Sequence, residues 1–152
     1  MTAFTKIEFV DLGLSVRWAS CNIGASSPED CGTYVSQLEY DNLNAESASQ
    51  YKVPSREEWQ ELMRECTWRF TIQNGVKGEL VVGPNGNSIF LPAAGSRNGA
   101  SLSSTGESGN YWSSTHGEYE DYDAFYLYFH GGIRYKSCNL RDNGQSVRPV
   151  ID

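Results

Sequence analysis

The sequence feature that most constrains the fold is a helix-start motif, Pro54-Ser55-Arg56-Glu57-Glu58-Trp59. Ser55 can accept a hydrogen bond from the backbone of Glu58, and the Glu58 carboxylate can return one to the backbone of Ser55. Apolar residues then recur at the i, i+3, i+4 and i+7 positions of one helical face. These residues are Trp59, Leu62, Met63 and Cys66. The motif therefore predicts a helix that starts near Ser55. We expect its apolar face to pack on the C-terminal sheet that contains Phe125, Leu127 and Phe129.

Short strand patterns occupy much of the remaining sequence. Residues 10–19 alternate apolar with polar side chains, which predicts an early strand. Apolar residues 79–82 and 88–91 flank an Asn85-Gly86 pair that can adopt the positive φ angles of a tight turn, so they predict a hairpin that ends at Pro92. In the C-terminal third, strand-like segments alternate with polar turns. These segments are residues 111–115, 124–129, 132–135 and 146–150.

Two polar stretches carry little periodicity and are interpreted as loops. Residues 25–49 are rich in Ser, Glu, Asp and Asn, and residues 93–110 are dense in Gly and Ser. With 152 residues, 39% of them hydrophobic, the chain can bury one core. We therefore predict that residues 1–152 form a single α+β domain with small mixed or antiparallel sheets, one or two helices and long irregular loops.

The charge and hydropathy patterns limit the classes of partner. The net charge is −7, and Lys and Arg form no basic cluster of the kind that holds nucleic-acid phosphates. We expect no nucleic-acid partner. No apolar run is long enough to span a bilayer, so we also expect no membrane insertion by this domain. Residues 1–10 lack the basic start and apolar stretch of a signal peptide.

The sequence offers little support for catalysis. Its two histidines are His116 and His130, and both fall in the tyrosine-rich C-terminal third. Ser113 and Ser114 lie near His116, but no Gly-x-Ser-x-Gly elbow surrounds them. A Gly-rich phosphate loop is also missing from the sequence. We therefore predict no catalytic residues, so the chain is not expected to be an enzyme.

The cysteines do not form a zinc motif. Four cysteines are present, and none of them is separated from another by the short gap that places two thiolates on one zinc ion. They are Cys21, Cys31, Cys66 and Cys138. We interpret them as buried thiols and leave one disulfide open.

The tyrosine-rich segment from residue 116 to residue 143 has the composition of a binding surface. Tyrosine provides a large contact area with few rotors, and small polar residues provide adaptable hydrogen bonds. Along residues 124–129, the residues Phe125, Leu127 and Phe129 share one face of a strand, and Tyr126 and Tyr128 share the other. We expect the first set to be core and the second to be presented. The predicted ligand contacts are Tyr119, Tyr122, Tyr126, Tyr128, His130, Arg134, Tyr135, Asn139 and Arg141.

Five ordered motifs carry a resemblance to a known family, and together they cover nearly the whole chain. They are Val10-Asp11-Leu12-Gly13-Leu14-Ser15-Val16-Arg17-Trp18-Ala19, the helix-start motif, Phe90-Leu91-Pro92-Ala93-Ala94-Gly95, Tyr111-Trp112-Ser113-Ser114-Thr115 and Ser146-Val147-Arg148-Pro149-Val150. In these motifs the chain resembles the Fibrobacter succinogenes major paralogous domain family, common among gut Bacteroidetes. Residues 32–52 carry none of the family's motifs. The resemblance implies a C-type-lectin-like fold related to that of the formylglycine-generating enzymes.

The resemblance also implies a role. Members of this fold group are usually found on surface or secreted proteins, and some are the variable ligand-binding proteins of diversity-generating retroelements. The expected role is thus a binding module for a protein or glycan on another cell or host surface. The expected location is extracellular or at the cell surface, with virion association left open. In such retroelements a C-terminal region is mutated at template adenines, and mutation of the adenines in an AAC or AAT codon cannot produce a Lys or Glu codon. Lys136, Glu118 and Glu120 would therefore be fixed positions or signs of ordinary divergence.

Two alternatives to a binding module stay open. The formylglycine-generating relatives use cysteine chemistry, and Cys138 has the basic neighbours Lys136, Arg134 and Arg141, which could lower a thiol pKa. A cysteine-dependent enzyme is therefore one alternative, and a structural surface domain is another.

Calcium is the cofactor most associated with the lectin fold. Four acidic residues lie close together at Glu118, Glu120, Asp121 and Asp123. The Glu-Pro-Asn and Trp-Asn-Asp motifs of calcium-dependent lectins are missing, and Trp112 is followed by Ser113 instead. We interpret the acidic residues as a solvated loop and predict no metal site and no cofactor.

Overall fold

The computed structural model describes residues 8–36, 52–98, 101–103, 105–116, 123–130, 133–140 and 144–152. At residues 98, 101–103, 116, 123–124 and 133–140 the description covers the backbone. The elements in chain order are β1 (Phe9–Val10), β2 (Arg17–Ala19), α1 (Arg56–Glu65), β3 (Thr67–Gln73), β4 (Val76–Val82), β5 (Ser88–Pro92), β6 (Ser96–Asn98), β7 (Ser101–Ser103), β8 (Ser108–His116), β9 (Asp123–His130), β10 (Ile133–Leu140) and β11 (Val150–Ile151).

The strands form three small antiparallel sheets and a hairpin. The terminal sheet has the order β1-β2-β11, the middle sheet β3-β4-β5 and the C-terminal sheet β10-β9-β8, while β6 pairs with β7. The α+β class predicted from the sequence is confirmed. Within the described residues, no helix is long and apolar enough to cross a membrane.

The helix begins where its capping motif predicts. Ser55 is the N-cap: its Oγ accepts a hydrogen bond from Glu58 N at 3.1 Å, and its N donates to Glu58 Oε1 at 2.8 Å. Trp59 and Leu62 are buried, and Met63 is partly buried against the same core. The predicted helix and its apolar face are confirmed.

Aromatic contacts join the helix to two of the sheets. The Trp59 ring lies 4.6 Å from the Trp18 ring of β2 and 5.8 Å from the Tyr111 ring of β8, measured between centroids. Tyr111 in turn stacks on Phe129 of β9 at 6.1 Å. The Trp59 indole also donates from Nε1 to the Trp112 carbonyl at 3.1 Å. The prediction that α1 packs on the C-terminal sheet is therefore confirmed.

The middle sheet contains one hairpin that was predicted and one that was not. Strands β4 and β5 form the predicted hairpin, and in its turn Gly86 has a φ of 91° and Gly83 N donates to Asn87 O at 2.8 Å. The positive φ predicted for Asn85 is not found. Strand β3 precedes them and turns into β4 at Asn74 and Gly75, whose φ angles are 49° and 81°. Its alternation of apolar and polar residues is the ordinary strand pattern, but no strand was predicted there.

The prediction of one continuous strand over residues 10–19 is wrong. Strand pairing is confined to β1 and β2, and residues 11–16 bend between them. Gly13 has a φ of 86°, and its N donates to Asp11 Oδ1 at 2.9 Å, which closes a local turn. Leu12 and Val16 are nevertheless buried. The alternation of apolar and polar residues thus reflects alternating burial in an irregular segment and not a strand.

The prediction that residues 93–110 form one irregular loop is also wrong, because β6, β7 and the start of β8 lie there. Small residues in this stretch allow close packing of a strand. At Gly109, an added Cβ would lie 2.2 Å from the Phe129 ring, so only glycine fits beneath that ring. A stretch of this composition carries no apolar periodicity, and its strands depend on distant partners.

The last described segment runs alongside β8. Trp112 N donates to Ser146 O, and Ser146 N donates to Asn110 O, both at 3.0 Å. The strand predicted over residues 146–150 is largely wrong: β11 begins only at Val150, where it pairs with β2. By contrast, the segments predicted at 111–115 and 124–129 lie within β8 and β9. Of the segment predicted at 132–135, residues 133–135 lie within β10, and residue 132 lies outside the described residues.

Candidate functional site

Strand β9 separates a buried face from a partly exposed one. Leu127 and Phe129 are 0% exposed and belong to the main core. On the opposite face, Tyr126 and Tyr128 are partly exposed and His130 is exposed. We call the face that carries these three residues the outer face of β9. It is the one place where the residues predicted for ligand contact are described with their side chains.

Phe125 departs from its prediction as a core residue. It is only partly buried, and the guanidinium carbon of Arg56 lies 4.7 Å from its ring centroid. This cation–π contact covers the ring from the first residue of α1. The buried face of β9 is therefore formed by Leu127 and Phe129, and it ends at Phe125.

An aromatic chain anchors the outer face. The Trp112 ring lies 6.4 Å from Tyr126 at an interplanar angle of 71°, and Tyr126 lies 6.5 Å from Tyr128 at 87°. These are edge-to-face geometries, the arrangement that aromatic quadrupoles favour. Trp112 is fully buried and donates from Nε1 to Val35 O at 2.8 Å. The partly exposed Tyr128 therefore ends a row of three rings that begins at Trp112 inside the protein.

Tyr126 is less exposed than the sequence predicts. It packs against a second, smaller core cluster of Val35, Val53, Trp112 and Val147. Period-two alternation predicts correctly that Tyr126 lies off the main core. It does not reveal that residues distant in the sequence cover part of the same face.

Strand β8 closes one side of the outer face. The register pairs Asn110 with Tyr128 and Ser108 with His130, and residues paired directly across antiparallel strands share a face. Asn110 is 6% exposed and Ser108 2%, so their side chains are covered. On the β8 side, the accessible part of this face therefore ends at β9.

The register between β9 and β10 shows on which face of the sheet the remaining predicted contact residues lie. Tyr135 is paired with Tyr128, and Asn139 with Ala124, so both positions belong to the outer face. Arg134 is paired with Phe129, a position on the opposite face of the sheet. The structure thus brings together the positions of Tyr126, Tyr128, His130, Tyr135 and Asn139 and separates Arg134 from them. The predicted contacts Tyr119, Tyr122 and Arg141 lie outside the described residues.

Two of the thiols with described side chains, those of Cys31 and Cys66, are poor nucleophiles. Cys21, Cys31 and Cys66 are free cysteines, so no disulfide joins them. Burial raises the pKa of Cys31, and burial together with the Glu61 and Glu65 carboxylates raises the pKa of Cys66 to about 11. At neutral pH these two groups stay protonated. Cys138 lies in β10, where the description covers the backbone.

The serine considered for catalysis makes a structural hydrogen bond, and most of the acidic residues considered for a metal site lie outside the described residues. Ser113 is buried, and its Oγ donates to Phe125 O at 2.8 Å, a bond between β8 and β9. In the described part of the chain, no group of three or more His, Cys, Asp or Glu side chains could hold a metal ion. Of the acidic loop, residues 118, 120 and 121 lie outside the described ranges, and residue 123 is described by its backbone.

A cleft lined by residues other than those of the outer face was not predicted. It has a volume of about 460 Å³ and is open to solvent. Its lining residues are Cys31, Gly75, Val76, Lys77, Ala93, Thr105, Gly106 and Glu107. These residues come from four separated parts of the sequence, so no local motif marks them. Comparisons of the chain with protein-family models, curated proteins and solved structures find no match.

Proposed function

We propose that this chain is a non-enzymatic binding module with a C-type-lectin-like fold, and that it recognises a protein or glycan through the outer face of β9. One observation carries the proposal. Leu127 and Phe129 are 0% exposed on one face of β9, while the tyrosines and histidine of the other face reach solvent. A strand fixed to the core in this way presents aromatic and polar side chains from a rigid support.

The row of rings supports a binding role for energetic reasons. Tyrosine buries a large area and freezes few rotors when it enters an interface. Tyr126 and Tyr128 already hold each other edge to face, and Tyr126 is held by the buried Trp112. Less side-chain entropy is then lost on binding, which increases the affinity available from the same contacts.

The five family-like motifs support the fold part of the proposal. They supply Trp18, Trp59 and Tyr111, whose rings contact one another in the core. They also supply Arg148, whose Nη2 donates to Phe90 O at 2.6 Å. The motif residues thus form a scaffold, whereas the outer-face residues 126, 128 and 130 lie outside all five motifs. That division suits a constant scaffold that carries a changeable surface.

The proposed partner is a protein or glycan on another cell or host surface, met by an extracellular or cell-surface domain. The outer face combines aromatic rings with the imidazole of His130, and such a face can stack on sugar rings or pack on a protein hot spot. Cysteine chemistry gains no support from Cys31 and Cys66, because their raised pKa values disfavour the thiolate.

The test begins with a screen of the folded domain on glycan and protein arrays, followed by variants measured with the ligand found. Tyr128→Ala and His130→Ala should each weaken binding, by about 2 kcal/mol where the residue is a hot spot. Both residues reach solvent, and His130 is exposed. His130→Ala should therefore change the free energy of unfolding by no more than about 0.5 kcal/mol. Tyr126→Phe keeps the ring contact with Trp112 and tests the hydroxyl alone.

A matched control is available in Tyr34, a partly buried tyrosine whose hydroxyl donates to Ala94 O at 2.5 Å. Tyr34→Phe should leave binding unchanged. Normal binding by a stably folded Tyr128→Ala/His130→Ala double variant would exclude the outer face as the ligand surface.

A further inference from the structure

The cleft lined by Lys77 and Glu107 has the dimensions of a small-molecule site. Its volume of about 460 Å³ falls within the range of about 300–1,000 Å³ that is usual for such sites. Ala93 and Val76 give it an apolar wall, and Thr105 adds a hydroxyl. Its residues differ from those of the outer face of β9, so a ligand here would be independent of the binding role proposed above.

Hydrogen bonds hold the walls of this cleft in place. Glu29 Oε1 accepts from Asn74 Nδ2 at 2.8 Å, which ties the loop before Cys31 to the β3–β4 turn. Ala93 N donates to Lys77 O at 2.8 Å, and Gly106 N donates to Ala93 O at 2.7 Å. These bonds link all four parts of the lining. The cleft is therefore formed before any ligand arrives.

The cleft presents two side chains of opposite charge. The side chains of Lys77 and Glu107 are exposed and line the cleft. Within the described ranges, neither side chain makes a hydrogen bond or an ion pair. By contrast, Lys52 Nζ lies 3.6 Å from Glu58 Oε2 and 3.4 Å from Asp152 Oδ1. The two charges are thus not paired with each other, and both line the cleft.

An apolar side chain lies next to the Lys77 position. Ile72 is paired with Lys77 across β3 and β4, so the two share one face of the middle sheet. Ile72 is 62% exposed and is the large hydrophobic residue that the described chain leaves in solvent. Trp68 and Phe70 continue the same face into the core. Ile72 does not itself line the cleft, but it places an apolar surface directly beside the lining residue Lys77.

We infer that this cleft binds a zwitterionic dipeptide with apolar side chains. Its carboxylate pairs with Lys77, its ammonium with Glu107, and an apolar side chain covers Ile72. A neutral zwitterion uses both charges and is not repelled by the net charge of −7, as an anion would be. An extended dipeptide spans about 7 Å, so its two charged ends can reach two groups that do not pair with each other.

The experiment titrates the folded domain with leucyl-leucine and with its N-acetylated and C-amidated forms. The zwitterion should bind about fivefold more tightly than either blocked form, as expected for the loss of one exposed ion pair. Lys77→Gln should weaken binding of the zwitterion by a similar factor and leave binding of the amide unchanged. Glu107→Gln should likewise weaken the zwitterion and leave the acetylated form unchanged. This pattern is the double-mutant cycle expected for direct contacts.

Matched controls remove exposed charges elsewhere on the protein. Arg69→Gln on the other face of β3 and Glu65→Gln at the end of α1 should leave all three affinities unchanged. Amide chemical shifts of Gly75 and Gly106 in the unaltered protein give a second measurement that no folding defect can affect. Absence of saturable binding of leucyl-leucine, or a Lys77→Gln effect that is equal for the zwitterion and the amide, would overturn the inference.

Discussion

Cys66 shows how one side chain can set part of the pH dependence of stability. It follows the last residue of α1 and is partly buried. Burial, with the nearby Glu61 and Glu65 carboxylates, raises its pKa from an ordinary 9.0 to about 11. The unfolded thiol therefore loses its proton at a lower pH than the folded one. Its contribution to stability is present below pH 9.0 and is lost as the pH rises toward 11.

We expect Cys66→Ala to reduce the loss of stability in this alkaline interval. The free energy of unfolding, measured with urea at about pH 8 and about pH 11, should fall more for the unaltered protein than for the variant. The cavity left by the substitution lowers stability at both pH values and cancels in the comparison. Tyr34, whose pKa burial raises to about 12, is present in both proteins. Equal alkaline losses in the two proteins would show that the Cys66 thiol does not titrate in this way.

The outer face shows how far single residues could be placed from the sequence. Period-two alternation correctly separates Leu127 and Phe129 from Tyr126 and Tyr128. The same pattern cannot give the register between strands, which puts Arg134 opposite Phe129. It also cannot predict that Val147 and its neighbours cover part of Tyr126, because that contact joins residues far apart in the sequence.

Among the elements, α1 depends on local interactions at its first turn. The capping box satisfies backbone donors at Ser55 and Glu58, and two further bonds tie this turn to β8. Arg56 N donates to Thr115 Oγ1 at 3.0 Å, and Ser114 N donates to Pro54 O at 2.8 Å. The cap thus fixes both where the helix starts and how it meets the C-terminal sheet.

Ser55→Ala should lower the free energy of unfolding by about 1 kcal/mol, because Glu58 N loses its side-chain acceptor. Ser55→Asp offers another acceptor at the N-cap and should recover most of that loss. Denaturant midpoints of the two variants, compared with the unaltered protein, measure both effects. A Ser55→Asp variant as unstable as Ser55→Ala would mean that capping is not the cause.

Elements with local determinants were predictable, and elements without them were not. The helix and the β4–β5 hairpin carry a cap, a period or an Asn-Gly turn within a few residues. Strands β6 and β7 are made of small and polar residues, and their pairing rests on contacts such as that of Arg97 N with Gly144 O at 2.7 Å. Residues 11–16 show the opposite case, since they alternate in burial but pair with no strand.

At the scale of the whole molecule, Arg148 joins three distant parts of the chain. It is 0% exposed, and its Nε donates to Asn22 Oδ1 at 2.8 Å. Its Nη1 donates to Ala19 O at 3.1 Å and its Nη2 to Phe90 O at 2.6 Å. Burial lowers the pKa of Arg148, yet an arginine stays charged at neutral pH. The rigid fork of donors suits these three acceptors better than a lysine could.

Arg148→Met should therefore lower the free energy of unfolding by about 3 kcal/mol, because three buried oxygens lose their donor. Since the clamp spans both ends of the described chain and β5, far-UV circular dichroism and tryptophan fluorescence should report the same shifted denaturant midpoint. Arg69→Met, at an exposed position, should change stability by no more than about 0.5 kcal/mol. An Arg148→Met variant with unaltered stability would show that the guanidinium bonds contribute nothing net.

The terminal sheet has a mechanical consequence. Strands β1 and β11 both pair antiparallel with β2, so they run parallel to each other on its two sides. Phe9 lies opposite Ala19 and Ile151 lies opposite Arg17, so the chain enters and leaves at opposite ends of β2. A pulling force applied to the two strands is then directed along their axes. It loads the interstrand hydrogen bonds together in shear, rather than opening them one after another, so the sheet should resist tension better than its few residues suggest.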